Sequence, residues 1–511
     1  WKGNQISNER YQPDSQQKTG ALLRFPSSAN TIQLKVGISF ISSLKARENV
    51  WNEIPHWSFE DTRQALLAQW ENLLQRIDIA SNTPEKYKRM FYTGIYHTML
   101  MPVDRTGENP LWSDPEPYYD DFYAIWDTYR TSTPLITLID PQRETDIVRS
   151  LINIYKRDGY MPDARSGNCN GRTQGGSNAE IVIADAFVKG LPNIDYHLAL
   201  EAMLKDATIP PGGNEEAEGR GGLIPYLELG YIPYGIPRAG NRTIEYSYCD
   251  YAIALVAKGL GKTDLYQQYL KQSSNWKNLW RADYEHAGVK GFILPRDKEG
   301  NWLDKIPFGN SHIQKPTFTY TPVTFEGPWY TPWWNMFFYE ASSWEYALSI
   351  PHDVPGLIEQ CGGKEKFDER LDIFINNAGF GVCGSFLETS GEKELSMAKV
   401  NVLAMHQLFK FAVKKMEAQG FGTVLNVASS AGLLPGGPYM AGYYATKAYV
   451  VSLTRGVAEE LREQHSPVYV CALCPGPVDT EFNDRADVVF ALRGIRPEFC
   501  VEEAMRGMLR R

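Results

Sequence analysis

Two sets of residues in this 511-residue chain carry side chains suited to chemistry. In the first, loops such as "DPEPYYDDFYAIWDTYRT" (114–131) and "TFEGPWYTPWWN" (324–335) interleave tryptophan and tyrosine with carboxylates. Flat apolar rings suit the faces of sugars, and paired carboxylates suit glycosidic cleavage, one giving a proton while the other activates water. In the second, "YYATK" (443–447) sets Tyr443 and Lys447 four apart, on one face of a helix. There an ammonium would draw a phenol pKa that starts near 10 down toward working pH, making Tyr443 an acid/base. Each signal has a plain structural reading. Asp127 stands three residues before Arg130 and pairs with it on a helix; Glu245, near a helix start, is favoured by the dipole with or without chemistry.

The elements that must position these residues differ along the chain. Before residue 360 the period is helical. "SFEDTRQALLAQWENLLQRID" opens with Ser58 and Asp61 as a capping box and puts Leu66, Trp70, Leu73 and Ile77 on one face. Thr83 and Pro84 open a second helix, while Asp140, Pro141 and Gly159 bracket a third; others begin at Ser177, Thr243 and Asp264. The alternation of "TIQLKVGISFISS" (31–43) predicts a strand that closes a β-domain begun upstream, so the N-terminus reads as cut. After residue 370, "LDIFINNAG", "GTVLNVASS" and "SPVYVCALCPG" read as buried strands. Helices over 391–417 and 443–463 separate them, the pattern of a parallel sheet. Composition changes at the same place: all thirteen tryptophans lie between Trp1 and Trp344, and five of seven cysteines lie at or after Cys361.

Net charge is −9 without a basic run, which argues against a nucleic-acid partner. No apolar stretch reaches the roughly 20 residues of a membrane span, and no signal peptide is visible. The cysteine spacing forms no disulfide framework or zinc pattern; Cys471 and Cys474 belong to an apolar strand. Asn241-Arg242-Thr243 matches a glycosylation acceptor triplet and is given no role.

"WDTYRT" (126–131), "GGSNAEIVIADAFVKGL" (175–191), "RTIEYSYCDYAIA" (242–254) and "WEYALSIPHDVPGLIEQCGGKEKF" (344–367) together resemble the α-mannosidases of glycoside hydrolase family 92, over about residues 19–374. The resemblance implies a calcium-dependent, inverting exo-mannosidase built from a β-sandwich and an (α/α)6 toroid, acting on mannose-containing glycans. It implies Glu245 as general acid and Trp126 and Asp127 as the lining of the mannose subsite. Glu340, Trp344, His352 and Asp353 match segments near the same cleft. The family's base carboxylates and most of its calcium ligands lie in acidic, Gly-rich motifs beyond "GGKEKF". Nothing resembling them follows here, so the expected activity of this polypeptide alone is little or none, and its metal ligands are unknown.

"NNAG" (376–379), Asn401 in "KVNVLA", Ser429 in "NVASSAG", "YYATK" and "PGPVDT" (475–480) resemble a short-chain dehydrogenase/reductase, over about 371–511. This implies Tyr443 as acid/base, Lys447 on the nicotinamide ribose, Ser429 on the substrate oxygen and Asn401 in a proton relay. Asn376, Ala378, Gly379, Pro475, Gly476 and Thr480 would line an NAD or NADP site. The Gly-rich phosphate turn that such enzymes carry upstream is not found before Asn376.

The expected fold is therefore multi-domain. It has a β-sandwich remnant over 1–50, an incomplete, mainly α (α/α)6 toroid over 51–370, and an incomplete Rossmann-like parallel sheet over 371–511. The strand at 371–376 is expected to leave a bare apolar edge that invites self-association. Three functions stay open: a glycosidase fragment with a foreign tail, an oxidoreductase lacking its phosphate loop, and a non-catalytic mannose-binding domain. The compartment is open too, since the first resemblance suggests export or a periplasm and the second a cytoplasm.

Overall fold

A computed structural model of the chain describes residues 2, 20–80, 83–171, 174–213, 217–286, 288–306, 318–322, 337–339, 341–368, 373–478 and 494–509. Glu340, Thr480, Trp1 and the aromatic loop over 324–335 named above lie outside this set. The chain divides into two compact units. The first holds residues 1–276 with 297–299 and 329–339; the second holds 277–296, 300–328 and 340–511.

Helices dominate the first unit: α1 (Ser43–Glu53), α2 (Phe59–Leu74), α3 (Glu85–Thr98), α4 (Ile125–Thr128), α5 (Ser132–Ile139), α6 (Pro141–Asp158), α7 (Ala179–Val188), α8 (Tyr196–Thr208), α9 (Leu223–Leu229), α10 (Ala239–Gly259) and α11 (Thr263–Gln272). Two short antiparallel ladders, β1 (Val103–Asp104) with β2 (Tyr119–Asp120) and β3 (Arg165–Ser166) with β4 (Cys169–Asn170), brace the loops between them. The α6 boundaries follow from local chemistry. Pro141 occupies the first helical position, and Gly159 ends the helix at φ 93°, a conformation glycine adopts without strain. One core joins Val148 and Leu151 of α6, Ile183 of α7, Met203 of α8, Ile253 and Val256 of α10 and Tyr269 of α11. α10 is buried on every side, so the polar residues it carries inward must find partners inside the protein.

Several boundaries differ from those read in the sequence. α3 begins at Glu85 with Pro84, not Thr83, at the cap position. α10 begins at Ala239, four residues before Thr243, so Glu245 lies in its second turn rather than at its start. Residues 31–41 belong to no strand. Their alternation survives as a bare face, with Ile32, Leu34, Val36, Ile38 and Phe40 all about half exposed or more. A single strand without a ladder partner is not stable in water. The predicted α2 face is likewise only partly covered: Trp70 and Leu73 touch the core, while Leu66 stays exposed.

The second unit carries a hairpin of β5 (Trp280–His286) and β6 (Val289–Ile293), a short ladder of β7 (Lys305–Ile306) with β8 (Phe318–Thr319), and α12 (Ser343–Tyr346), α13 (Val354–Gln360) and α14 (Lys364–Asp368). A parallel three-stranded sheet follows, in the order β11 (Val468–Leu473), β10 (Gly422–Val427), β9 (Ile373–Asn376). The connections run through α15 (Gly391–Ala398), a π-helical segment over 399–404, α16 (Met405–Gln419) and α17 (Ala441–Glu463); α18 (Pro497–Leu509) comes last. Val424 and Val470 face Phe409, Met416 and Val450 on one side, and Leu425 faces Ala504 and Met508 on the other. Among the described residues β9 is paired on one side only, and Ile375 is 49% exposed.

Candidate functional site

In the first unit, α10 carries Glu245 inward, 2% exposed. The short α4 carries Trp126 toward it, Arg130 in the turn just after α4 reaches it, and Asn178, the cap residue of α7, meets it from a third direction. Trp126 Nε1 donates to Glu245 Oε1 at 3.1 Å and Arg130 Nη2 to the same oxygen at 2.8 Å. Asn178 Nδ2 donates to Oε2 at 3.1 Å, with the Tyr129 hydroxyl at 3.5 Å. Arg130 also stacks on the rings of Tyr129 and Trp126, with its guanidinium carbon 4.6 and 5.2 Å from their centroids. Tyr339 meets the Trp126 ring edge-on.

Asp127 is exposed on the same turn, and partial burial raises its carboxyl above the ordinary range against the pull of Arg130. Arg130 reaches Glu245, the pairing that i,i+3 spacing alone would not suggest. Asp163 and Glu180 are both sealed from solvent, and burial pushes each up to about 7; the charges of Glu245 and Glu180 add to the rise at Asp163. Glu180 and Asp250 are balanced by buried Arg220, at 3.4 and 2.7 Å. Asn241 is fully buried inside α10, which rules out the glycosylation triplet.

The remaining residues matched to the cleft belong to the second unit. Asp353 caps α13, accepting the Gly356 N–H at 3.0 Å, and pairs with Lys277 at 3.3 Å. Its neighbour His352 stands just ahead of that cap. Trp344 donates from Nε1 to His286 Nδ1 at 3.2 Å and packs against Phe292. Among the described residues no group of three or more His, Cys, Asp or Glu is placed to hold a metal.

The sheet of the second unit builds a separate site. A cleft of about 720 Å³ is lined by Asn377, Gly379, Ser429, Tyr443, Lys447, Pro475 and Gly476, among others. Asn376 is buried under it, donating to the Met405 carbonyl at 2.9 Å and to Asn426 Oδ1 at 3.2 Å. Ala378 and Gly379 form the turn after β9. A Cβ on Gly379 would stand 3.1 Å from Asn401 Oδ1 and 3.2 Å from Lys447 Nζ. Asn401, in the π-helical segment, accepts the Phe380 N–H at 3.0 Å and donates to the Phe380 carbonyl and to Thr446 Oγ1. It thereby ties the turn to α17.

Lys447 Nζ donates to the Val427 carbonyl at 2.8 Å and lies 5.9 Å from the Tyr443 ring centroid. The predicted lowering of the phenol is not met in this state: burial raises Tyr443, and the Ser429 hydrogen bond only offsets part of the rise. Burial also draws Lys447 down to about 8. Ser429, Tyr443 and Lys447 all line this cleft.

A family model, the glycosyl hydrolase family 92 catalytic domain, matches residues 45–423. The chain belongs to glycosyl hydrolase family 92. An uncharacterised secreted glycosidase of Arthroderma benhamiae is 37% identical over 377 residues, 70% of this chain and 44% of the relative. A solved family 92 α-mannosidase from Bacteroides thetaiotaomicron, in complex with mannoimidazole, is 29% identical. It superposes with a TM-score of 0.53 over 65% of this chain and 40% of its own length. A further match is confined to a smaller segment: an uncharacterised oxidoreductase of Thermotoga maritima is 40% identical over 112 residues, 22% of this chain and 43% of the relative. The chain spans less than half the length of each of these relatives.

Within the family 92 portion, sequence reasoning found Glu245 and Trp126 and missed Tyr129, Asn178 and Asp163 as their neighbours. Asn178 and Tyr129 both sat inside quoted motifs, "GGSNAE" and "WDTYRT". No local signal said that segments 67 and 116 residues from Glu245 would converge on it.

Proposed function

We propose that the first part of the chain is a portion of a calcium-dependent, inverting exo-α-mannosidase whose (α/α)6 toroid is represented by α1 to α11. In this reading Glu245 is its proton donor. The observation that carries the reading is the convergence of Trp126, Arg130 and Asn178 on a buried carboxyl that the family 92 resemblance marks as the acid. Trp126 and Asp127 present a ring face and a carboxylate to a mannose residue. Four donors hold both oxygens of Glu245 in place, and in this reading Arg130, 37% exposed in its side chain, shifts from Oε1 so that the carboxyl can hand a proton to the leaving oxygen. Inversion also needs a base on the opposite sugar face. The family resemblance assigns that base, with most of the calcium ligands, to acidic, Gly-rich motifs that the sequence after residue 367 does not match. The expected outcome is binding of mannose-containing glycans with little or no turnover. The relative from Arthroderma benhamiae carries the word secreted in its name, and this favours an exported hydrolase portion.

The experiment is release of p-nitrophenol from an aryl α-mannoside by the full chain with calcium present. Release no faster than from buffer is expected; turnover abolished by Glu245→Gln would show that the base is present and overturn the incomplete-site reading.

The second reading rests on the Tyr443, Lys447 and Ser429 cleft, which supports a partial Rossmann-like short-chain oxidoreductase fused behind the glycosidase portion. NAD or NADP would supply or take a hydride there, while Lys447 and Tyr443 hold the ribose and move a proton. Quenching of reduced-cofactor fluorescence on adding the chain, lost in Lys447→Met, would favour it; an unchanged signal would remove it.

A further inference from the structure

Asp163 lies where two arms of the Glu245 site meet. It is 2% exposed. Its main-chain carbonyl accepts the Ile125 N–H at 2.7 Å, one residue before Trp126. Its carboxylate Oδ2 accepts the Gln174 N–H at 3.0 Å, at the head of the Gly175-Gly176-Ser177-Asn178 turn. Those two segments supply the donors on opposite oxygens of Glu245: Trp126 on Oε1 and Asn178 on Oε2, each at 3.1 Å. One residue therefore ties down both arms, one through its backbone and the other through its side chain. The arms also touch directly. A Cβ on Gly175 would stand 3.0 Å from Trp126 Nε1 and overlap Asn241 Nδ2 at 2.0 Å, so a displaced turn would push on the indole.

We propose that Asp163 is a positioning residue for Glu245, setting the span between Trp126 and Asn178 in which the carboxyl is held. The proposal deepens the reading of Glu245 as proton donor and rests on it for its functional meaning. Burial pushes the Asp163 carboxyl up to about 7; the Gln174 N–H opposes the rise and the Glu245 charge adds to it, as expected of two carboxyls that share one buried region. A residue that merely stapled the 174–178 turn would alter stability without moving the Trp126 end.

The test follows the indole N–H of Trp126 in the full chain labelled with 15N-tryptophan, its signal assigned by loss in Trp126→Phe. Asp163→Ala is expected to shift that signal in the sense Glu245→Gln does, with the other tryptophan signals in place. Asp163→Asn, whose amide oxygen can accept the Gln174 N–H, is expected to leave it near the wild-type position. An unmoved Trp126 signal in folded Asp163→Ala overturns the proposal. Should that variant not fold, Asp163→Glu keeps the acceptor on an arm one methylene longer and must move the signal; no movement is equally fatal.

Mannoimidazole separates this inference from the reading beneath it. Affinity is expected to fall about tenfold or more in Asp163→Ala and to recover in Asp163→Asn. If wild type does not bind the probe while the indole shifts as expected, the glycosidase reading falls and the positioning role stands.

Discussion

Glu144 makes a quantitative prediction. It lies on the buried face of α6, 1% exposed, and neither carboxylate oxygen has a hydrogen-bond partner among the described residues. Burial pushes its pKa from 4.5 to about 8, with the Asp185 charge adding to the rise and Lys189 opposing it. Between those two pH values the folded state binds a proton that the unfolded state has lost, so stability must fall as pH rises through that window. At about 1.36 kcal/mol per pKa unit the loss is at most about 5 kcal/mol above pH 8. Glu144→Gln removes the titration. The variant is expected to match wild type, or trail it slightly, near pH 4.5, and to exceed it by about 3 to 5 kcal/mol near pH 8.5. Urea unfolding followed by tryptophan fluorescence is the assay, since every tryptophan precedes residue 345 and the signal follows the hydrolase portion. A difference between variant and wild type that stays the same from pH 4.5 to 8.5 would refute the reasoning, because a buried, unpartnered carboxyl cannot be indifferent to its own ionisation.

Other outcomes follow from single contacts. Gly175→Ala puts a methyl into the space of Asn241 and Trp126, and mannoimidazole affinity should drop at least about tenfold while circular dichroism stays native; unchanged affinity would mean the turn yields freely. Ile375→Lys places a charge on the bare β9 edge, and light scattering should show less concentration-dependent association than wild type; equal mass for both at all concentrations argues that the edge is not sticky. Asp353→Ala removes the α13 cap and should cost about 1 kcal/mol in urea unfolding, with no loss of sugar binding beyond that if the carboxylate is only a cap.

What could be read in the sequence was what depends on neighbours in the chain. The α6 bounds followed from Asp140, Pro141 and Gly159, and Ser58 caps α2 as expected, because caps and turns are local chemistry. β9, β10 and β11 fall inside the three apolar runs read as strands. The start of α10 was not legible. Its cap residue Arg238 sits in the left-handed region at φ 60° with no side-chain cap, and a helix buried all round has no amphipathic period to mark its first turn. The run over 31–41 kept its alternation yet forms no strand, since a ladder needs a partner that the run itself cannot supply.

The site divides in the same way. Motifs singled out Glu245, Trp126, Tyr443 and Lys447 as candidates, whereas their surroundings depend on burial and distant contacts. Arg130 reaches Glu245, 115 residues away in the chain, and burial outweighs the Ser429 hydrogen bond at Tyr443.

The most direct measurement is a calorimetric titration of the full chain with mannoimidazole, in wild type and Glu245→Gln, beside an aryl α-mannoside hydrolysis assay in the same buffer. One-to-one binding that weakens about tenfold or more on removal of the Glu245 carboxylate, without hydrolysis, is the predicted result. Absence of binding in wild type, or binding that Glu245→Gln leaves untouched, would contradict the assignment of Glu245 to a mannose site.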